Sequence, residues 1–297
     1  MMIYFRVCLR SALVILLLVF GNRAPGRAAD QQTRTVHNYE NVSGVEIANV
    51  ITVDVTKLAP LVPAGYSILP AAAVGFGGQD KGILAIANFR GVSPVVDQRR
   101  TGKEQQVAVD VGILVTQPNK AAKAGLDIPG AFHFYTLAIY SDDTRYVASL
   151  RDADMPASFR NIIYNRTIND TTGIGDLTVV VPDSRSPLAS HNVGLTLAPA
   201  VGAFDTIFWY NGRRGTAALH FKDEPYQTGG ANSQIYALRD SKVGNLLLGG
   251  GLGQCASDPS LVFICVAPPS LNLLYPQGTV GSLLLMGPNA LTTDRMD

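Results

Sequence analysis

Basic clusters are what this sequence most plainly lacks. Its 24 lysines and arginines stand against 23 acidic side chains and form no long run. That balance speaks against nucleic-acid and anionic-membrane binding, both of which rely on clustered positive charge. Cysteine is equally scarce. Cys8, Cys255 and Cys265 have neither Cys-x-x-Cys nor zinc-ligand spacing, and no histidine lies near the later pair, so no metal or redox centre is expected. The four histidines are accompanied by no Gly-x-Ser-x-Gly elbow, and each reads as an ordinary surface or core residue. Gly75-Phe-Gly-Gly78 and Gly249-Gly-Gly-Leu-Gly253 lack the order and the strand-to-helix setting of a dinucleotide loop and read as turns or bulges. Nothing in the chain calls for a cofactor.

What is present begins with a leader. Arg6 and Arg10 precede the apolar run Ser11 to Phe20, which is followed by the small residues Gly26 and Ala28, the order of parts of a secretory signal peptide. The apolar run is about half of the ~20 residues that a membrane-spanning helix needs, so cleavage after Ala28 or Ala29 is expected over an uncleaved anchor. Residues 1–28 are thus read as the leader and 29–297 as one domain. Removing the leader takes away Arg6, Arg10, Arg23 and Arg27 and no acid. The remaining 20 basic and 23 acidic side chains give a formal charge of −3. A secreted or periplasmic protein without stable membrane insertion is expected, and its oligomeric state is left open. In that oxidising setting Cys255 and Cys265 read as a local disulfide, with two buried thiols as the competing reading.

The mature chain is punctuated as a β protein. Short runs rich in Val, Ile, Leu, Tyr and Phe recur between Gly, Pro, Asn and Asp, among them Val45 to Val55, Ile83 to Phe89, Gln106 to Thr116, Phe132 to Tyr140, Arg145 to Leu150, Thr206 to Tyr210 and Leu261 to Val266. Asn211-Gly212 marks a hairpin whose loop, with Arg213-Arg214-Gly215, reads as longer than two residues. Helical signals are few: Thr56 to Leu61, Asn119 to Leu126 and, weakly, Met155 to Ile162. Along Gln105 to Ile113, Val107, Val109, Val111 and Ile113 share one face, while Gln106, Ala108, Asp110 and Gly112 share the other. In a closed sheet that second face lines a cavity; in an ordinary sandwich it faces water. The aromatics Phe132, Phe134, Tyr135, Phe208, Trp209 and Tyr210 are core residues first and candidate cavity walls second. The expected class is mainly β, a β-rich α+β domain.

One stretch carries a family look. Val53-Asp-Val-Thr-Lys-Leu-Ala-Pro-Leu-Val-Pro-Ala-Gly-Tyr66, then Lys103-Glu-Gln-Gln-Val-Ala-Val109, Phe134-Tyr135 and Arg151-Asp-Ala-Asp-Met-Pro156, in that order, resembles the acetoacetate decarboxylase-like family over residues 45 to 160. The resemblance implies a barrel or cone of antiparallel strands with a few short helices. It matches Glu104 to the strand glutamate of the family's pocket and Arg151-Asp152 to its Arg-Glu pair. Where the family has its Schiff-base lysine, this chain reads Ala157-Ser-Phe-Arg160, and no lysine occurs between Lys123 and Lys222. Imine chemistry needs an amine that can lose its proton, and arginine cannot replace it.

Three functions stay in view. The first is an exported protein holding a small, partly apolar acid or carbonyl compound without Schiff-base decarboxylation, with Arg151, Arg160, Asp152 and Tyr135 as ligand contacts, since arginine grips carboxylates bidentately. The second is a lyase or hydratase-like enzyme on a keto acid with Glu104 as acid or base. The third is an interaction domain with no pocket.

Overall fold

The computed structural model describes residues 33–168, 175–184, 187–195, 200–248 and 263–287; the leader and Cys255 lie outside them. The strands are β1 (Thr33–Asn41), β2 (Ser43–Asp54), β3 (Lys81–Val92), β4 (Val95–Val96), β5 (Arg99–Arg100), β6 (Gln105–Val115), β7 (Phe132–Ser141) and β8 (Ala157–Phe159). They continue with β9 (Ile163–Ile168), β10 (Gly175–Val181), β11 (Leu188–Leu195), β12 (Ala200–Gly212), β13 (Gly215–Leu238), β14 (Phe263–Val266), β15 (Pro269–Tyr275) and β16 (Thr279–Met286). The helices are short: α1 (Val55–Leu58), α2 (Lys120–Lys123), α3 (Thr144–Asp152) and α4 (Lys242–Leu247). The protein is strand-dominated, as its sequence cadence suggests.

The strands close on themselves. β2 pairs with β3, β3 with β6 and β6 with β7, all antiparallel. β7 runs parallel to β12, β12 forms a hairpin with β13, and β13 reaches β15, which returns to β2. Closure leaves these strands without a free edge, the condition under which a sheet acquires an inside. A ribbon of β16, β1, β4 and β5 extends from the first half of β13, while β11, β10 and β9 extend from its second half.

Alternation decides which residues meet. Ile47, Ile51 and Val53 of β2, Leu84 and Ile86 of β3, and Val109, Val111 and Ile113 of β6 share one face and are fully buried in the largest apolar cluster. Burying each such side chain contributes about 1.5–3 kcal/mol. The opposite face of β6 carries Gln106, Ala108 and Asp110, also buried. Ala108 joins a second cluster with Tyr39, Tyr146, Leu150, Phe208 and Leu283, into which α3 packs.

Local readings differ from the structure in three places. The run Arg145 to Leu150 is helix α3 rather than a strand, because the Asp143 side chain caps it by accepting from the Arg145 and Tyr146 backbone amides, at 2.9 and 3.0 Å from its Oδ1. The segment Met155 to Ile162 holds strand β8, aligned parallel to β7, rather than a helix. The β12–β13 hairpin turns on Arg213 and Arg214 alone, with Gly212 paired to Gly215. The helices expected near Thr56 and Asn119 are present as α1, prolonged by a 3-10 turn at Ala59–Leu61, and α2.

Candidate functional site

The face of β6 opposite the largest apolar cluster borders a cavity. Register places Glu46 of β2 opposite Phe89 of β3, and Phe89 opposite Ala108 of β6, so Asp110, two residues on, points to the same side as Glu46. With Tyr39, Glu40, Asn41, Val95, Gln106, Tyr146, Thr206, Phe208, Phe221 and Thr279 these residues line a cavity of about 40 Å³. The lining comes from β1, β2, β3, β4, β6, β12, β13 and β16, so strands from widely separated parts of the chain converge on the space. Tyr146 of α3 adds a wall. Glycine makes room on this face: a Cβ at Gly44 would stand 2.9 Å from the Phe89 ring, so a side chain there would push that ring into the cavity.

Of the three carboxyl residues in the lining, Glu40 is exposed, and Glu46 and Asp110 define the chemistry of the space. Asp110 is 7% exposed, and its Oδ1 is shut off from solvent without a hydrogen-bond partner. Burial, with a further push from the charge of Glu46, raises its pKa to about 8. Asp110 is therefore mostly protonated at neutral pH. Burial raises the Glu46 pKa above the ordinary glutamate value, and the hydrogen bond that Glu46 accepts from the Tyr275 hydroxyl at 2.8 Å offsets only part of that push. The two groups are separated by strand β3 and make no hydrogen bond to each other, so they face the space from two sides. Around them, the Tyr39 hydroxyl is 3.0 Å from Ser149 Oγ, which donates to the Tyr146 carbonyl oxygen at 2.7 Å. Burial pushes the phenols of Tyr39 and Tyr146 far up, so both stay neutral hydrogen-bonding groups. Among the described residues, the lining includes no lysine, arginine or histidine.

The residues singled out from sequence lie elsewhere. Glu104 is exposed ahead of β6, where its carbonyl oxygen accepts from the Ser93 amide at 2.7 Å. Arg151 is exposed in the last turn of α3, its Nε donating to the Ala157 carbonyl oxygen at 2.9 Å. Glu104 and Arg151 do not meet in the cavity. Asp152 is exposed and contacts His37 Nε2 at 3.3 Å. Arg160 is half-buried in an ion pair with Asp183 at 2.5 Å and lies over the Tyr140 ring. Tyr135 is buried beside Tyr66 and Tyr210, its ring centre 5.1 and 6.1 Å from theirs. None of these five lines the cavity. Of the cysteines, Cys265 is buried in β14 and Cys255 is outside the described residues.

Asp110 and Glu46 are the residues that sequence reading passed over. The alternation of β6 carried the signal for Asp110, whereas Glu46 sits in a run whose pattern gives no such cue. Lys120 was also missed: it is buried, with Nζ donating to Asn211 Oδ1 at 3.1 Å and lying 4.1 Å from the Tyr66 ring centre, but it does not line the cavity.

No protein-family model and no curated protein matches the chain. Solved structures do. The structures it is similar to are acetoacetate decarboxylase-like enzymes. The enduracididine biosynthesis enzyme MppR complexed with pyruvate is 13% identical at a TM-score of 0.49, covering 84% of this chain and 87% of that one. An acetoacetate decarboxylase-like enzyme from Sphingomonas wittichii RW1 is 10% identical at 0.44, over 89% and 95%. Acetoacetate decarboxylase from Legionella pneumophila is 10% identical at 0.45, over 86% and 92%. Likeness at this level concerns the course of the strands, and the chemistry is argued from this chain's own residues.

Proposed function

We propose that this protein is exported and holds a small, partly apolar carbonyl compound in its barrel, without forming a Schiff base. One observation carries the reading: the cavity pairs aromatic walls, Phe89, Phe208 and Phe221, with a protonated Asp110 and a second carboxyl, Glu46, and its described lining has no cation. A neutral Asp110 is a hydrogen-bond donor to a carbonyl oxygen. A carboxylate ligand would instead meet Glu46 with no positive partner, an arrangement that costs several kcal/mol when desolvated. Of the acid and carbonyl ligands that the sequence leaves open, the carbonyl compound is therefore favoured. The volume, about 40 Å³, has room for roughly three waters or one ligand of a few heavy atoms.

Ligand-observed NMR with acetone, butanone and acetaldehyde, set against acetate and pyruvate, tests this reading. Saturation transfer to the neutral carbonyl compounds, abolished when Ala108→Phe fills the space, is the expected outcome; binding of the carboxylates alone would overturn it. Borohydride added with the ligand, followed by peptide mapping, is expected to leave Lys120 no more alkylated than the exposed lysines. A reduced adduct lost in Lys120→Met would replace this reading with an imine one. Export is checked by N-terminal sequencing of the protein from its host, which is expected to begin at residue 29 or 30.

A further inference from the structure

A cavity that only stored a carbonyl compound would have no use for two carboxyls, one buried and one half-buried, facing the same space. One donor suffices to hold an oxygen, and burying the second acid costs stability. Glu46 and Asp110 come from strands on either side of β3, point into the same space and do not bond to each other. Asp110 is more than nine-tenths buried with an unpartnered oxygen, and Glu46 is steadied from behind by Tyr275. An acid and a base that face one space from two sides can both reach a molecule placed in it.

We propose that Glu46 and Asp110 catalyse keto–enol interconversion of the carbonyl compound held in the cavity, Glu46 as the base and Asp110 as the acid. The inference rests on the binding reading above and adds an activity to it. The Glu46 carboxylate takes a proton from the carbon next to the carbonyl. The C–H electron pair becomes the C=C bond, and the carbonyl π pair moves to oxygen, which takes the Asp110 proton. The products are an enol, a protonated Glu46 and an ionised Asp110. In the return, the enol hydroxyl gives its proton back to Asp110, its oxygen pair re-forms C=O, and the C=C pair takes a proton from Glu46 that has exchanged with water; ketone and both side chains are regenerated, so no oxidant or cofactor enters.

The groups facing the pair set its pH dependence. They are Glu40 and Tyr39 on β1, Tyr146 on α3 and Tyr275 on β15. None is a cation, and burial keeps the Tyr39 and Tyr146 phenols neutral across the working range. The rate is therefore bell-shaped, falling on the acid side as Glu46 protonates and on the alkaline side as Asp110 ionises near pH 8.

The test is deuterium incorporation into acetone and butanone in D2O, followed by proton NMR, with the full-length mature protein. The expected result is exchange above the buffer rate, reduced by about 100-fold or more in Glu46→Gln and in Asp110→Asn, within the range that one positioned acid or base supplies. Glu104→Gln, outside the cavity, leaves it unchanged. If the ketones give saturation transfer but no exchange above buffer, the catalytic inference is overturned and the binding reading stands. If neither ketone nor acetaldehyde binds, both fall. Should a variant misfold, the wild-type profile decides: a bell supports the pair, and a flat rate between pH 5 and 9 overturns it.

Discussion

Replacing Asp110 by asparagine tests whether a buried, protonated carboxyl sits in the barrel. In the unfolded chain an aspartate ionises near pH 3.8, whereas Asp110 in the folded protein holds its proton to about 8. Between those values the native state binds one more proton than the unfolded state, so stability falls as pH rises, by about 1.4 kcal/mol per pH unit. This is the reverse of the behaviour of an aspartate stabilised by an ion pair. From pH 5 to pH 7.5 the native state loses about 3 kcal/mol through this one group, a large part of the ~5–15 kcal/mol that holds a domain together. An asparagine side chain has nearly the same shape and no charge, so the Asp110→Asn variant escapes the loss. Urea unfolding of both proteins at half-unit pH steps is the assay, and subtracting the two curves cancels the titrating groups that do not couple to Asp110. The variant is expected to gain on the wild type steadily up to about pH 8 and then level off. A difference that stays constant within ~0.5 kcal/mol from pH 5 to 7.5 would show that Asp110 is already ionised and would refute the reasoning.

Three further outcomes follow from other parts of the fold. Asp143→Ala removes both cap hydrogen bonds of α3 and is expected to cost about 1–2 kcal/mol by denaturant unfolding; because Tyr146 rides on that helix, ligand affinity should weaken with it. Gly278 adopts φ of +82°, and a Cβ there would collide with the Asn41 carbonyl oxygen, so Gly278→Ala should lose several kcal/mol or fail to accumulate as folded protein, read by circular dichroism and yield. Cys255 and Cys265 are proposed to be joined in the exported protein, so the intact mass should be two protons below the reduced mass, and reduction should cost about 3 kcal/mol for so short a loop.

Much of the architecture was legible because strands announce themselves through alternation and turn residues. The opposing faces of β6 could be read from Gln105 to Ile113 alone, and they turned out to be the barrel wall and the cavity lining. Closure was not legible, since the β7–β12 and β15–β2 pairings join segments about 70 and 220 residues apart and no local signal specifies them. The same gap explains the site. Glu104 draws attention as an acid at the start of a strand, but its chain position lies before the strand enters the barrel, and Asp110 six residues on is the carboxyl that is buried. Arg151 and Arg160 looked like anion grips until the fold placed one on the outer end of α3 and the other against Asp183. Helix α3 was misread for a related reason: Tyr146, Val147 and Leu150 suit a strand by composition, and only the Asp143 cap and the packing of that face against Tyr39 and Phe208 settle the matter.

The account turns on a neutral Asp110 in contact with whatever the cavity holds. Carbon-detected NMR of the aspartate carboxyls, with Asp110→Asn to assign the resonance, measures that state directly. The account predicts a carboxyl titrating near pH 8 whose chemical shift moves when acetone or butanone is added. A resonance titrating near the ordinary aspartate value of 3.8 and indifferent to either ketone would contradict it.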